Sequence, residues 1–449
     1  MIHPEPDGLS LSLRPPYRPR ALNIPSSHIA VWALAILGGI GVVAYVLKLI
    51  TAWGDRAQWA YPTVALMFVL STATAAPLLA YMSRLAKGYW ALPLRRITAL
   101  YAIPSLLSFV LLIPIMATVP TLEGRANLWF GFSAGAPFLT DALALAILLL
   151  TGFALLWFSA VPDIAGPPSR VQAMGPLRRL LYLNWSGTKR QWKVLRLANL
   201  TLGAFYLMGY AFVHMLLTTD LGQSLLPGWR SGIFPLYSAV TGIQAAIATT
   251  LITLALIRRF SPEGRRFIGD EQAASLGKLL LATALAWFYF FWSDFLLIWY
   301  ARLPGEVTAL QTNVAITYRL PFLLSIVLMC ILPFIALIFN PIRRSLNRLA
   351  GVSVLILVGL IFDRIRFFVA PMANESPFGH AVIELPAPVW PNPLDVLFIL
   401  GTIGLMYGIY VLALTRIPIF NGWELREGTM LRKERTYMKA HVLVIGKPD

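Results

Sequence analysis

The chain has 449 residues, 58% of them hydrophobic and 13% charged, with a formal net charge of +17 and a mean hydropathy of +0.70. That balance excludes a soluble globular domain and makes lipid the main solvent. Nucleic acid is a poor counter-charge, because no recognisable binding module accompanies the cations and they collect on alternate connections.

Residues 1–27 are rich in Pro and Arg and lack the short apolar core and small-residue cleavage site of a secretory signal. The first apolar stretch is therefore expected to stay as a crossing helix. A crossing needs ~20 apolar residues. Ten stretches qualify: 28–53, 60–84, 97–119, 138–161, 198–218, 233–257, 275–301, 312–339, 349–371 and 393–415. Backbone left unpaired in lipid is too costly, so each is predicted to be α-helical, and the fold class is all-α integral membrane with ten transmembrane helices.

The connections alternate in charge. Arg14, Arg18 and Arg20 precede the first span; Arg84, Lys87, Arg95 and Arg96 follow the second; Arg178, Arg179, Lys189 and Arg190 stand in the fourth connection. Arg258, Arg259, Arg265 and Arg266, then Arg343, Arg344 and Arg348, and a basic tail from Arg416 continue the series. The other connections offer Arg56, Arg125, Arg230 and Arg302. The positive-inside rule places both termini in the cytoplasm, with anionic lipid headgroups as partners of the basic side. In the long connection 162–197, Leu177 to Trp185 mixes Arg178 and Arg179 with apolar residues. It reads as a short helix at the headgroups or as an ordinary basic loop.

Redox groups have few ligands here. Cys330 is the single cysteine, and of five histidines only His214 falls at bundle depth. Iron–sulfur clusters and paired haems need more than that, so no cofactor is expected on this chain. Charges inside spans are the functional candidates, since each must find a partner or water. Asp294, Arg319 and Asp363 fall roughly 10–12 Å below one surface on three successive helices at ~1.5 Å per residue. Arg364 and Arg366 are placed just above, where long side chains snorkel. Lys48 and Asp395 read as edge anchors. The sixth span adds Ser238, Thr241, Gln244, Thr249 and Thr253 loosely on one face. Three readings stay open: an inert ion cluster, a proton path from the acids along Thr241 and Gln244, or a quinone or polar pocket at Asp141 and His214, beside Tyr206 and Tyr210.

The end of the seventh span runs Phe291-Trp-Ser-Asp-Phe-Leu-Leu-Ile-Trp-Tyr-Ala-Arg-Leu-Pro-Gly-Glu306. It resembles the F subunit of alternative complex III, a quinol:cytochrome c (or blue-copper protein) oxidoreductase whose membrane subunits are polysulfide-reductase-like. The shared core is Leu297 to Ala301 with Pro304 and Glu306. Pro333-Phe334 followed by Arg343-Arg344, and Asp363 eight residues before Pro371, extend it. The pattern departs at Asp294, Arg302 and Gly305, where the family usually has Gln, Asn and Glu.

The resemblance implies two four-helix bundles, 60–218 and 219–371, flanked by a peripheral first helix (28–59) and last helix (372–416), with a cytoplasmic tail at 417–449. It implies a bacterial inner-membrane subunit with no redox centre of its own. Its partners would be a sister ten-helix subunit, an iron–sulfur subunit and haem c subunits, with quinol handled by the sister. Proton passage is then expected at Asp294 and Asp363, charge balance at Arg319, and an outer-surface acid at Glu306. A stand-alone secondary transporter and a purely structural anchor are the alternatives.

Overall fold

A computed structural model describes residues 21–22, 29–120, 136–165, 175–378, 384–437 and 440–445. Among these, nine helices are long and apolar enough to cross a membrane: α1 (Ile29–Thr51), α2 (Arg56–Leu85), α3 (Arg95–Thr118), α4 (Phe138–Ala165), α5 (Lys189–Leu225), α6 (Phe234–Phe260), α7 (Asp270–Ala301), α8 (Arg319–Ile338) and α10 (Pro393–Arg416). The molecule is a multi-pass helical membrane protein. A further long helix, α9 (Leu346–Ala373), is not among the nine and carries Arg348, Asp363, Arg364 and Arg366. The basic tail adds α11 (Gly422–Leu431) and a hairpin of β1 (Arg432–Tyr437) with β2 (Ala440–Ile445), so the fold is not wholly helical. The alternating Val442, Val444 and neighbouring Leu443, Ile445 favour that extended pairing. The predicted short helix in the fourth connection is present as Pro176–Leu181, with Leu177 and Leu180 exposed.

α2, α3, α4 and α5 pack as one ring of neighbours, and α6, α7, α8 and α9 as another. The rings meet where α2 contacts α6 and α9, and where α5 contacts α6. Burial follows: 94% of the crossing stretch of α2 is buried against 17% for α1 and for α7, so α2 is the axis and those two lie on the perimeter. α1 packs chiefly on α10, and α10 on α2. Glycines allow that crossing: a Cβ on Gly401 would sit 2.2 Å from the Gly41 Cα. Close backbone approach of this kind is how helices associate in lipid, where apolar burial supplies no drive. Lys48 and Asp395, expected as edge anchors, instead form a buried ion pair across this crossing at 2.7 Å.

Helix breaks in the bundle are closed by side chains from neighbours. α2 loosens at 73–76, and the carbonyl of Thr74 accepts the Tyr206 hydroxyl at 2.7 Å. α8 widens to a π-turn at Val327–Ile331, and the carbonyl of Met329 accepts Gln244 Nε2 at 2.8 Å. Freed backbone groups at membrane depth need such partners.

Candidate functional site

Asp363 lies in the interior of α9 with no exposure, and its partner is not Arg319. The chain leaves regular helix at Gln311–Ala315, a π-turn, and does not resume until Arg319, which becomes the first residue of α8. Arg319 is exposed and makes no ion pair among the described residues. The expected trio is therefore corrected: the span assigned to 312–339 begins seven residues late, and its arginine sits at the rim. The guanidinium that neutralises Asp363 comes from the next turn of the same helix. Arg366 Nη2 lies 2.9 Å from Asp363 Oδ1, and Tyr237 of α6 donates its hydroxyl to the same oxygen. Arg364 Nη1 stands 3.9 Å from Oδ2 and donates to Ser238 Oγ at 2.8 Å, while its Nη2 donates to Ser71 Oγ at 3.1 Å. Neither arginine snorkels; both are fully buried. Four rings surround the Arg366 guanidinium, with Phe367 at 3.8 Å and Phe322, Phe291 and Tyr237 at 5.4, 5.7 and 5.8 Å. Cation–π attraction in a dry site replaces part of the lost hydration.

Asp294 of α7 faces the same arginine across a cavity of about 20 Å³, lined also by Phe291, Trp229 and Asn313. That is room for about one water. Asp294 accepts the Ser231 hydroxyl at 2.5 Å. Glu306 is in electrostatic reach of it. Expected at the outer surface, Glu306 is instead 9% exposed, with Oε2 unpartnered among the described residues, as is Oδ1 of buried Asn313. Gly305, next to it, abuts Gly228, whose φ is +85°; a Cβ at 305 would lie 2.9 Å from the Gly228 Cα, so a glutamate there does not fit this loop. Chemically the two acids differ. Asp363 is an ion-pair member whose Oδ1 accepts from Tyr237 and from two nitrogens of Arg366, while Oδ2 has no hydrogen-bond partner among the described residues; Asp294 has one hydroxyl donor and a water-sized space.

From Tyr237 toward the C-terminal end of α6 runs a series of buried polar side chains, interrupted by the apolar residues 245–248. Thr241 bonds the Tyr237 carbonyl at 2.7 Å, and Gln244 keeps Oε1 without a partner. Thr249 faces the Tyr407 hydroxyl of α10, and Thr253 shares a 2.7 Å hydrogen bond with Tyr101. The Tyr101 ring stacks on Tyr410 at 3.8 Å, and Tyr410 donates to the Ile97 carbonyl at 2.8 Å. From Tyr237 to Thr253 the helix rises roughly 24 Å.

A second charge cluster includes Arg96, the chain neighbour of Ile97. Glu424 of α11 is fully buried; Arg84 Nη2 reaches it at 2.9 Å and Arg95 Nη1 at 3.3 Å. Asp163 pairs with Arg96 at 3.4 Å and accepts the backbone N–H groups of Gly422 and Trp423 at 3.1 and 3.3 Å, so it holds the positive end of α11. Burial alone would raise the Glu424 carboxyl, but Arg84, Arg95 and Asn421 outweigh it and hold it below the ordinary glutamate range. These arginines, counted from sequence as surface charges, are interior.

Asp141 and His214 do not share a site through any hydrogen bond or ion pair among the described residues. Asp141 abuts the carboxyl of Asp220, and its oxygens meet no N–H or hydroxyl donor. His214 Nδ1 lies 3.2 Å from the Tyr210 carbonyl, its ring 4.3 Å from the Tyr210 ring, and Nε2 has no partner. Asp220 went unnoticed because the fifth span was ended at 218, two residues early. Arg366 was read as a snorkelling side chain and Tyr237 was missed, although the Asp363-to-Arg366 spacing of three is a helical pairing signal. The acids Asp163 and Glu424 had no signal beyond the arginine clusters that need counter-charge.

No group of three or more His, Cys, Asp and Glu suited to a metal ion occurs among the described residues. Comparison with known proteins finds no matching family model and no matching curated protein.

Proposed function

We propose that this chain is a bacterial inner-membrane subunit of a quinol-oxidising electron-transfer complex resembling alternative complex III. In this reading it crosses ten times with both termini in the cytoplasm, binds no redox centre, and supports a sister membrane subunit, an iron–sulfur subunit and haem c subunits. It also carries protons. Asp294 is the exchanging acid, Glu306 feeds it from the outer side, and Asp363 with Arg366 fixes the field around it. Thr241 and Gln244 begin the route inward. Arg319 has no part in it.

The observation that carries the reading is the series of buried polar side chains on α6, from Tyr237 at the Asp363–Arg366 cluster through Thr241, Gln244 and Thr249 to Thr253, which bonds Tyr101. Buried polar groups in lipid are costly, and a series of them along one helix is hard to justify by packing alone. The sequence resemblance at 291–306 supports the complex. Trp299 and Tyr300 within it are exposed and available to a neighbouring subunit. The test is to purify the tagged chain gently from its own membrane and identify co-migrating chains and bound haem. Haem-bearing and iron–sulfur partners are the expected result. A chain that purifies alone overturns the assignment.

One feature favours the second reading, a secondary transporter. α2 and α8 are both interrupted inside the bundle, at 73–76 and at Val327–Ile331. Broken helices commonly line transporter sites. Substrate-dependent flux by the solitary chain in vesicles would select that reading.

A further inference from the structure

Four arginines that mark one side of the chain in sequence also meet in one place. Arg258 and Arg259 end α6, Arg265 lies in the short helix Pro262–Phe267, and Arg344 precedes α9; together they line a cavity of about 680 Å³ open to the surface. Its one lining carboxylate, Asp270, is 72% exposed and stands 3.4 Å from Arg258. The lining thus keeps a surplus of guanidinium groups. Like charges that share one cavity repel, and an anion between them relieves the repulsion.

The remaining wall adds donors of another kind. Ser345, Leu346 and Asn347 line the cavity at the start of α9, a 28-residue helix. Ser345 makes no side-chain capping bond there, so the first-turn N–H groups are left for a ligand. A positive helix end beside arginines suits a phosphate, whose oxygens accept from both at once. The cavity also lies where α6 ends and α7 begins, which is the height of lipid headgroups. Just below it on α6, Leu256 is an exposed apolar side chain.

We propose that this cavity binds a phosphate group, either the phosphodiester of an anionic phospholipid headgroup or a free phosphate-bearing anion. The site is independent of the proton route and of the complex to which the chain is assigned.

The test uses the full chain, in whatever assembly it purifies with, stripped of lipid in neutral detergent. Phosphatidylglycerol, phosphatidylcholine and inorganic phosphate are titrated separately, with bound mass read by native mass spectrometry and unfolding temperature read in parallel. Phosphatidylglycerol is expected to bind saturably and phosphatidylcholine not. The double variant Arg259→Gln/Arg344→Gln should bind it roughly 10- to 30-fold more weakly. Arg259→Lys/Arg344→Lys should keep most of the binding. Arg190→Gln/Lys193→Gln, which removes two exposed cations elsewhere on the same side, should keep all of it. If inorganic phosphate binds as tightly with the same arginine dependence, the source is a soluble anion and the site stands. Binding of either probe that ignores Arg259 and Arg344, or no anion binding at all, overturns the proposal. Unchanged unliganded unfolding temperature in the variants shows that loss of binding is not loss of fold.

Discussion

Arg366 and Arg319 carry the same charge in opposite surroundings, so their removal should have opposite consequences. Arg366→Leu leaves the Asp363 carboxylate buried beside a single distant arginine. Breaking such a pair costs about 3–5 kcal/mol, and the variant should lose yield and unfold at lower temperature in detergent. Arg319→Leu touches an exposed side chain and should stay within about 0.5 kcal/mol of the parent. Equal effects would mean that Arg319 supplies the counter-charge after all. Tyr237→Phe removes a donor to Asp363 and an acceptor for Arg366 Nη2 at 2.8 Å, for about 1–3 kcal/mol by the same unfolding measurement. At this scale the sequence picked out Asp363 as a buried charge, but it misplaced Arg319, Lys48, Asp395, Arg95 and Arg96 and did not show which charges touch. Depth along a helix is additive in residue number and survives small errors. Side-chain direction does not, and the π-turn at Gln311–Ala315 moved Arg319 from the interior to the rim.

Elements are tied together by contacts that hydropathy does not encode. The α1–α10 crossing rests on Gly41 against Gly401, with the Lys48–Asp395 pair near one end. Gly401→Leu drives a side chain into backbone and should part the two helices, at about 1–3 kcal/mol or more. A cysteine cross-link between α1 and α10 that still forms in the variant at the parental rate would contradict this. The tail helix α11 depends on one buried carboxylate. Glu424 is held below its unfolded value, so its contribution is fully present above the ordinary glutamate range, near pH 4.3, and is lost as pH falls through the depressed value. Glu424→Gln should loosen α11 at neutral pH already. Hydrogen exchange at Trp423–Arg426 is expected to rise in the variant and, in the parent, only in acid. Helix positions were legible because an apolar run of ~20 residues has few alternatives. The fold-back of the tail was not, since its polar composition describes a solvated segment as well as it describes a plug of ion pairs.

At the scale of the whole molecule, two buried charge clusters lie on either side of a file of hydroxyl and amide groups on α6. The sequence exposed that file at Ser238, Thr241, Gln244, Thr249 and Thr253, because polar residues at helical spacing stand out against an apolar background. It did not expose the partners from other helices, Tyr101, Tyr407 and Ser71, which carry no charge and look like ordinary packing. The claim that protons use the file is best tested in vesicles of the native membrane, by measuring protons moved per electron during quinol oxidation with parent, Asp294→Asn and Gln244→Leu chains at equal assembly. The account predicts a lower ratio in both variants while electron transfer continues. An unchanged ratio in both would contradict it and leave the buried line as scaffolding.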